Sequence, residues 1–137
     1  MSYKDEFLAS LIRTDRTGFL PALHARLVEN NLKFRASRNS ETLLYYALDS
    51  QKKPVGLIAF RVLRGLTIFS FPATYWSPRR AIVDDALSAI PSTSIAPTGD
   101  TASSQYSMRQ VIVSSGTVGT LLHVIDNVVS SHARMLR

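Results

Sequence analysis

Cysteine is missing from this 137-residue chain. Its absence excludes a disulfide framework, a thiolate zinc site and a cysteine nucleophile. Long apolar runs are missing too. The longest strong one, Val55 to Phe60, stops at Arg61, well short of the roughly 18 residues a membrane span needs. The first residues carry Lys4, Asp5 and Glu6 and no long apolar stretch, unlike a secretory leader. Histidine is scarce, with only His24, His123 and His132, and neither an HExxH motif nor a paired-histidine spacing occurs. The glycine-bearing stretch 114–120 lacks the P-loop lysine and has one glycine too few for a dinucleotide fingerprint. An RNP signature is absent as well. These gaps leave no metal, no cofactor and no catalytic residue expected. The expectation is a cytoplasmic, non-enzymatic protein without membrane association. His123 and Asp126, three apart on a helix, form the one pair that would support an enzyme.

What is present describes a folded protein. Apolar residues make up 45% and charged residues 19%, too apolar for a disordered tail. The length suits one domain, 1–137, because two would each be too small for a good core. Lysine and arginine total 16 against 10 acids, and the formal charge is +6. The excess is local. Residues 31–80 hold nine lysines and arginines against Glu41 and Asp49, whereas 81–137 hold three against four. Such asymmetry points to an acidic partner, either nucleic acid or an acidic protein. Solubility alone is the plainer explanation of the same charge.

The apolar pattern follows helical spacing first. Phe7, Leu8, Leu11 and Ile12 give a short amphipathic helix over 4–13, and Phe19, Leu20, Leu23, Leu27 and Val28 a second over 18–30. The period then changes to two. Leu32, Phe34 and Ala36 alternate with Lys33 and Arg35, a half-buried strand with a basic outer side. Residues 42–48, 55–63 and 66–71 complete a four-stranded meander. With Arg64 and Gly65 as a two-residue turn, Val62 faces Thr67, Phe60 faces Phe69 and Ile58 faces Phe71 on the core side. Arg61 then faces Ile68, and Ala59 faces Ser70, on a paler side. Ser77 as cap and Pro78 as first residue predict a third helix over 78–90. The low-complexity segment 91–105 is expected to be a flexible loop. A fifth strand spans 106–113. A final helix spans 117–135, with Val118, Leu121, Leu122, Ile125, Val128, Val129 and His132 on one face. The fold class is therefore α+β: a mainly antiparallel sheet of a four-stranded meander plus a fifth strand. Two helices precede it, one follows the meander and a long one ends the chain. Leu43, Leu44, Tyr45 and Tyr46 make the second strand apolar on both sides, and a homodimer is one way to cover the second side.

Eight of the twelve aromatic residues lie between Phe34 and Trp76, within the basic stretch. Rings flanked by arginines can stack bases and hold phosphates. Strands favour aromatics in any case. The sharpest local feature is Tyr75, Trp76, Ser77, Pro78, Arg79 and Arg80. Two guanidinium groups in a helix's first turn oppose its dipole, yet would join free amides in an anion site. Alternatively, Arg80 pairs with Asp84 and Arg79 lies over Trp76. The adjacent Asp84 and Asp85 diverge by about 100° on a helix and make poor joint ligands. The candidate nucleic-acid or anion-binding residues are thus Lys33, Arg35, Arg61, Tyr75, Trp76, Arg79 and Arg80. The expected function is DNA or RNA binding by this basic, aromatic surface. The alternative is an interaction module, such as an adaptor, chaperone or inhibitor, for an acidic protein partner.

Overall fold

The computed structural model describes residues 2–37, 42–91, 94–95 and 107–136. Beyond them lie most of the turn expected over 37–40, Tyr106, and the segment 91–105 apart from Pro91, Ser94 and Ile95. The chain begins with two helices, α1 (Tyr3–Thr14) and α2 (Phe19–Glu29). Strands β1 (Lys33–Ser37), β2 (Thr42–Leu48), β3 (Pro54–Leu63) and β4 (Leu66–Pro72) follow. A four-residue helix α3 (Ala73–Trp76) leads through a 3-10 turn (Ser77–Arg79) into α4 (Arg80–Leu87). Strand β5 (Ser107–Val113) precedes a last helical run: α5 (Val118–Val124), a π-helical turn (Ile125–Val129) and α6 (Ser130–Met135).

Sequence order is sheet order. The five strands run β1-β2-β3-β4-β5, and every neighbour is antiparallel. The α+β class and the meander are as the sequence predicts, and β5 extends it beside β4. The register between β3 and β4 pairs Val62 with Thr67, Arg61 with Ile68, Phe60 with Phe69 and Ala59 with Ser70. Arg64 and Gly65 both have positive φ, 52° and 81°, the requirement of the hairpin turn that matches strand twist.

Alternation along the strands gives the sheet two different faces. On one, Leu43, Tyr45, Ile58, Phe60, Phe69, Phe71, Val111 and Val113 are buried in a hydrophobic cluster. Leu11, Phe19, Leu20, Leu23 and Leu27 from the first two helices join that cluster, as do Val83, Leu87, Leu121, Ile125 and Val129 from the later ones. Phe19 sits against both Phe60 and Phe69, with ring centroids 6.0 and 5.6 Å away. The other face carries Leu44, Tyr46, Ala59, Ile68 and Ile112, none of which belongs to the cluster. The described helices therefore bury their apolar sides against one face.

Polar links fix the helices to the sheet. Asp15 Oδ1 accepts from the Thr17 backbone N–H (3.0 Å), the Thr17 hydroxyl (2.6 Å) and the Thr67 hydroxyl of β4 (2.8 Å). Its Oδ2 accepts from the Leu20 N–H at 2.9 Å. This satisfies the start of α2, where Gly18 offers no side-chain cap. A register shift at Tyr45/Tyr46 leaves Leu57 as the extra residue of a bulge in β3. Its carbonyl accepts a hydrogen bond from the Trp76 indole N–H at 2.8 Å.

The expected third helix needs correcting. Helical backbone starts at Ala73, directly after β4, and is interrupted by the 3-10 turn. Ser77 is itself right-handed helical, and its N–H bonds the Ala73 carbonyl. It is not an N-cap. Pro78 causes the break: it lacks an N–H, and its ring crowds the carbonyl four residues back. The last helix also departs from a uniform α-helix, through its π-helical turn at Ile125–Val129.

Candidate nucleic-acid and anion interface

The outer sheet face presents three rungs. Arg35, Leu44, Ala59, Ser70 and Gln110 lie in register across all five strands. Beside them run Arg61, Ile68 and Ile112, and on the other side Lys33 and Tyr46. Lys33 and Arg35 are exposed, and Arg61 is half-buried on the central strand. Ile68 retains 8% of its surface and Ser70 9%, so both are already covered within the chain. The Arg35 guanidinium lies over the Tyr46 ring, 6.0 Å from its centroid.

Among the described residues, the ion pairs are Arg26–Asp126 and Arg109–Asp84. Neither involves a cation of the outer face. Asp84 takes Arg109 rather than Arg80, and Arg80 stands exposed at the start of α4. No described carboxylate pairs with Lys33, Arg35, Arg61 or Arg79.

The two aromatic candidates point inward. Trp76 is fully buried. It packs edge-on against Phe71, with centroids 5.5 Å apart, and its N–H is used by Leu57. Tyr75 keeps only 9% of its surface. Its hydroxyl is hydrogen-bonded to His132 Nδ1 at 2.6 Å. Neither ring offers solvent a face on which a base could stack. Arg79 lies over Tyr75, not Trp76, with the guanidinium carbon 3.9 Å from the ring centroid. Its Nη1 donates to the Tyr75 carbonyl at 2.7 Å. Arg79 and Arg80 are not in an open first turn, because helical backbone precedes them.

Three of the seven candidates meet in one place. Arg35, Tyr75 and Arg79 line a cavity of about 460 Å3 where β4 turns into α3. Lys33, Arg61, Trp76 and Arg80 do not line it. Leu44 and Gly56 form part of its wall. Neither is among the candidate site residues read from the sequence: Leu44 stands there only in an apolar strand, and Gly56 only as a glycine inside a strand. Tyr46 is the aromatic ring the outer face does present, and it too was missed as a site residue. A second hollow of about 620 Å3 lies between α4 and the last helical run, lined by Ile82, Ala86, His123 and Val128 among others.

Each of the three histidines has a hydrogen-bond partner. Burial, and then the positive charge of Arg79, hold His132 below the ordinary imidazole value. Burial does the same to His24, whose Nδ1 is 2.9 Å from the Tyr45 hydroxyl. His123 Nε2 meets Asn127 at 2.9 Å, while Asp126 is held by Arg26. The expected His123–Asp126 contact is therefore replaced. Among the described residues no group of three histidines or carboxylates could hold a metal ion. Within them, no helix is long and apolar enough to cross a membrane. No family model, no curated protein and no solved structure matches the chain.

Proposed function

We propose that this protein is a non-enzymatic interaction module that docks an acidic, apolar polypeptide segment on the outer face of its sheet. The observation that carries this reading is the composition of that face. Leu44, Ala59 and Ile112, all half-buried, form an aliphatic centre outside the hydrophobic cluster. Lys33, Arg35 and Arg61 surround it without a carboxylate among the described residues. An apolar centre with arginine at its margin suits a protein partner, and the uncompensated charge selects an acidic one. A second copy of the chain is disfavoured, since pairing this face with itself would set arginines against arginines.

Nucleic acid is the second reading, favoured by the same three cations, Lys33, Arg35 and Arg61, for which no described carboxylate is a partner. Its aromatic component is reduced to Tyr46, because Tyr75 and Trp76 are enclosed. The two readings differ in salt response. Phosphate binding falls steeply between about 50 and 200 mM salt, whereas aliphatic contact persists. The test is fluorescence anisotropy with a labelled peptide alternating glutamate and leucine, its lysine–leucine counterpart, and single- and double-stranded DNA and RNA. Docking predicts that the glutamate peptide binds, survives the higher salt, and is lost in the Arg35→Glu, Arg61→Glu double variant. Salt-sensitive nucleic-acid binding with no peptide binding would replace it by the second reading.

A further inference from the structure

The cavity beside α3 carries a chemistry of its own, independent of what covers the open sheet. Its volume of about 460 Å3 lies within the range of small-molecule sites. Two guanidinium groups line it, and they differ in kind. Arg79 lies over the Tyr75 ring, its guanidinium carbon 3.9 Å from the centroid, and is held by its bond to the Tyr75 carbonyl. Tyr75 is anchored in turn by its own bond to buried His132. The donors of Arg79 not used by that carbonyl form a planar fork fixed in place. Arg35 is exposed on an edge strand, with its guanidinium over the Tyr46 ring. Between them the wall is apolar: Leu44, Val55 and Pro72. Gly56 contributes backbone only. A Cβ there would sit 3.3 Å from Leu44 Cδ1, so glycine lets Leu44 lie close across the strand. Among the described residues, no acidic one lines the cavity.

A ligand must answer both features. Inorganic phosphate would satisfy the guanidinium groups and leave the aliphatic wall wet. A neutral apolar molecule would cover the wall and leave the fixed fork unanswered. We propose that this cavity binds a small organic carboxylate with an apolar body. The carboxylate lies on the Arg79 fork, Arg35 closes over it, and the body rests against Leu44 and Val55.

The test is a titration of the isotope-labelled full chain, followed by amide NMR shifts, with 3-phenylpropionate, its alcohol 3-phenylpropanol, and inorganic phosphate. The acid is expected to give saturable shifts at Gly56, Thr74 and Arg79, and both other probes to bind at least about tenfold more weakly. Arg79→Gln should weaken the acid by about tenfold or more. Thr74, exposed and lining the cavity, offers a second variant. Thr74→Trp keeps both arginines and fills the space, and should abolish the shifts. If Arg79→Gln disturbs the fold, Thr74→Trp decides. No saturable shift, equal binding of acid and alcohol, shifts elsewhere, or full affinity in a folded Thr74→Trp would each overturn the proposal. None of these arms uses the peptide, so its failure is separable from failure of the docking reading.

Discussion

Replacing Leu43 and, separately, Leu44 by alanine tests the two-faced sheet on which the functional reading depends. The residues are adjacent on β2, yet the pleat sends them to opposite faces. Leu43 is fully buried in the cluster. Truncation there removes buried methyl groups and leaves a cavity among residues that can only partly close it. Such losses run from about 2.7 to 5 kcal/mol. Leu44 is half-buried and outside the cluster. Its truncation leaves no closed void, so the transfer part alone applies, reduced by existing exposure to about 1 kcal/mol or less. The two variants should thus differ by at least about 2 kcal/mol in urea unfolding at unchanged slope. Equal costs, or a larger cost at Leu44, would refute the assignment of faces. A Leu44→Ala cost that grew with protein concentration would show that a second copy covers this face.

Other outcomes follow from single contacts. Gly65→Ala should cost about 1–2 kcal/mol in urea unfolding: its φ is +81° and no atom lies within 4 Å of an added Cβ, so the cost is backbone strain alone. Arg64→Asn, at φ 52°, should stabilise by less than about 1 kcal/mol. Asp15→Ala removes the acceptor of four hydrogen bonds and should cost about 2–3 kcal/mol at neutral pH. Burial raises the Asp15 carboxyl, but its hydrogen bonds from Thr17, Leu20 and Thr67 together outweigh this and leave it below 3.8. Its contribution is therefore present above that pH and lost as pH falls through the lowered value, where wild-type and variant unfolding curves should converge. For His132, held below its ordinary 6.5, the unfolded chain takes up the proton first. Stability should fall as pH drops below about 6.5 and level off below the folded value, with a shallower slope in His132→Gln. Asp84→Ala removes an exposed pair with Arg109 and should cost under about 1 kcal/mol by the same assay.

Legibility in the sequence followed the range of the forces involved. The alternation of Phe34 and Ala36 with Lys33 and Arg35 is local, and the strand and its basic side were readable from it. The turn at Arg64 and Gly65 propagates a register outward that the β3–β4 pairing matches from Val62–Thr67 to Ala59–Ser70. Pro78 was misread because proline suits both a helix start and an interruption. What decided between them was Trp76, drawn into the core by Phe71 and the Leu57 carbonyl. That demand pulls the chain into helix at Ala73. The same tertiary demand removed Trp76 and Tyr75 from the surface where composition placed them. The meeting of Arg35 with Arg79 depends on how β1 lies relative to α3, and no spacing in the sequence encodes it. Likewise Asp84 chose Arg109, 25 residues away, over the nearer Arg80.

The most direct test of the docking face is methyl NMR of the full chain, labelled at isoleucine, leucine, valine and alanine, on addition of the glutamate–leucine peptide. Docking there is expected to shift Leu44, Ala59 and Ile112, with little change at Val83, Leu121 and Ile125. Shifts confined to Ile82, Ala86 and Val128, in the hollow between α4 and the last helical run, would contradict it.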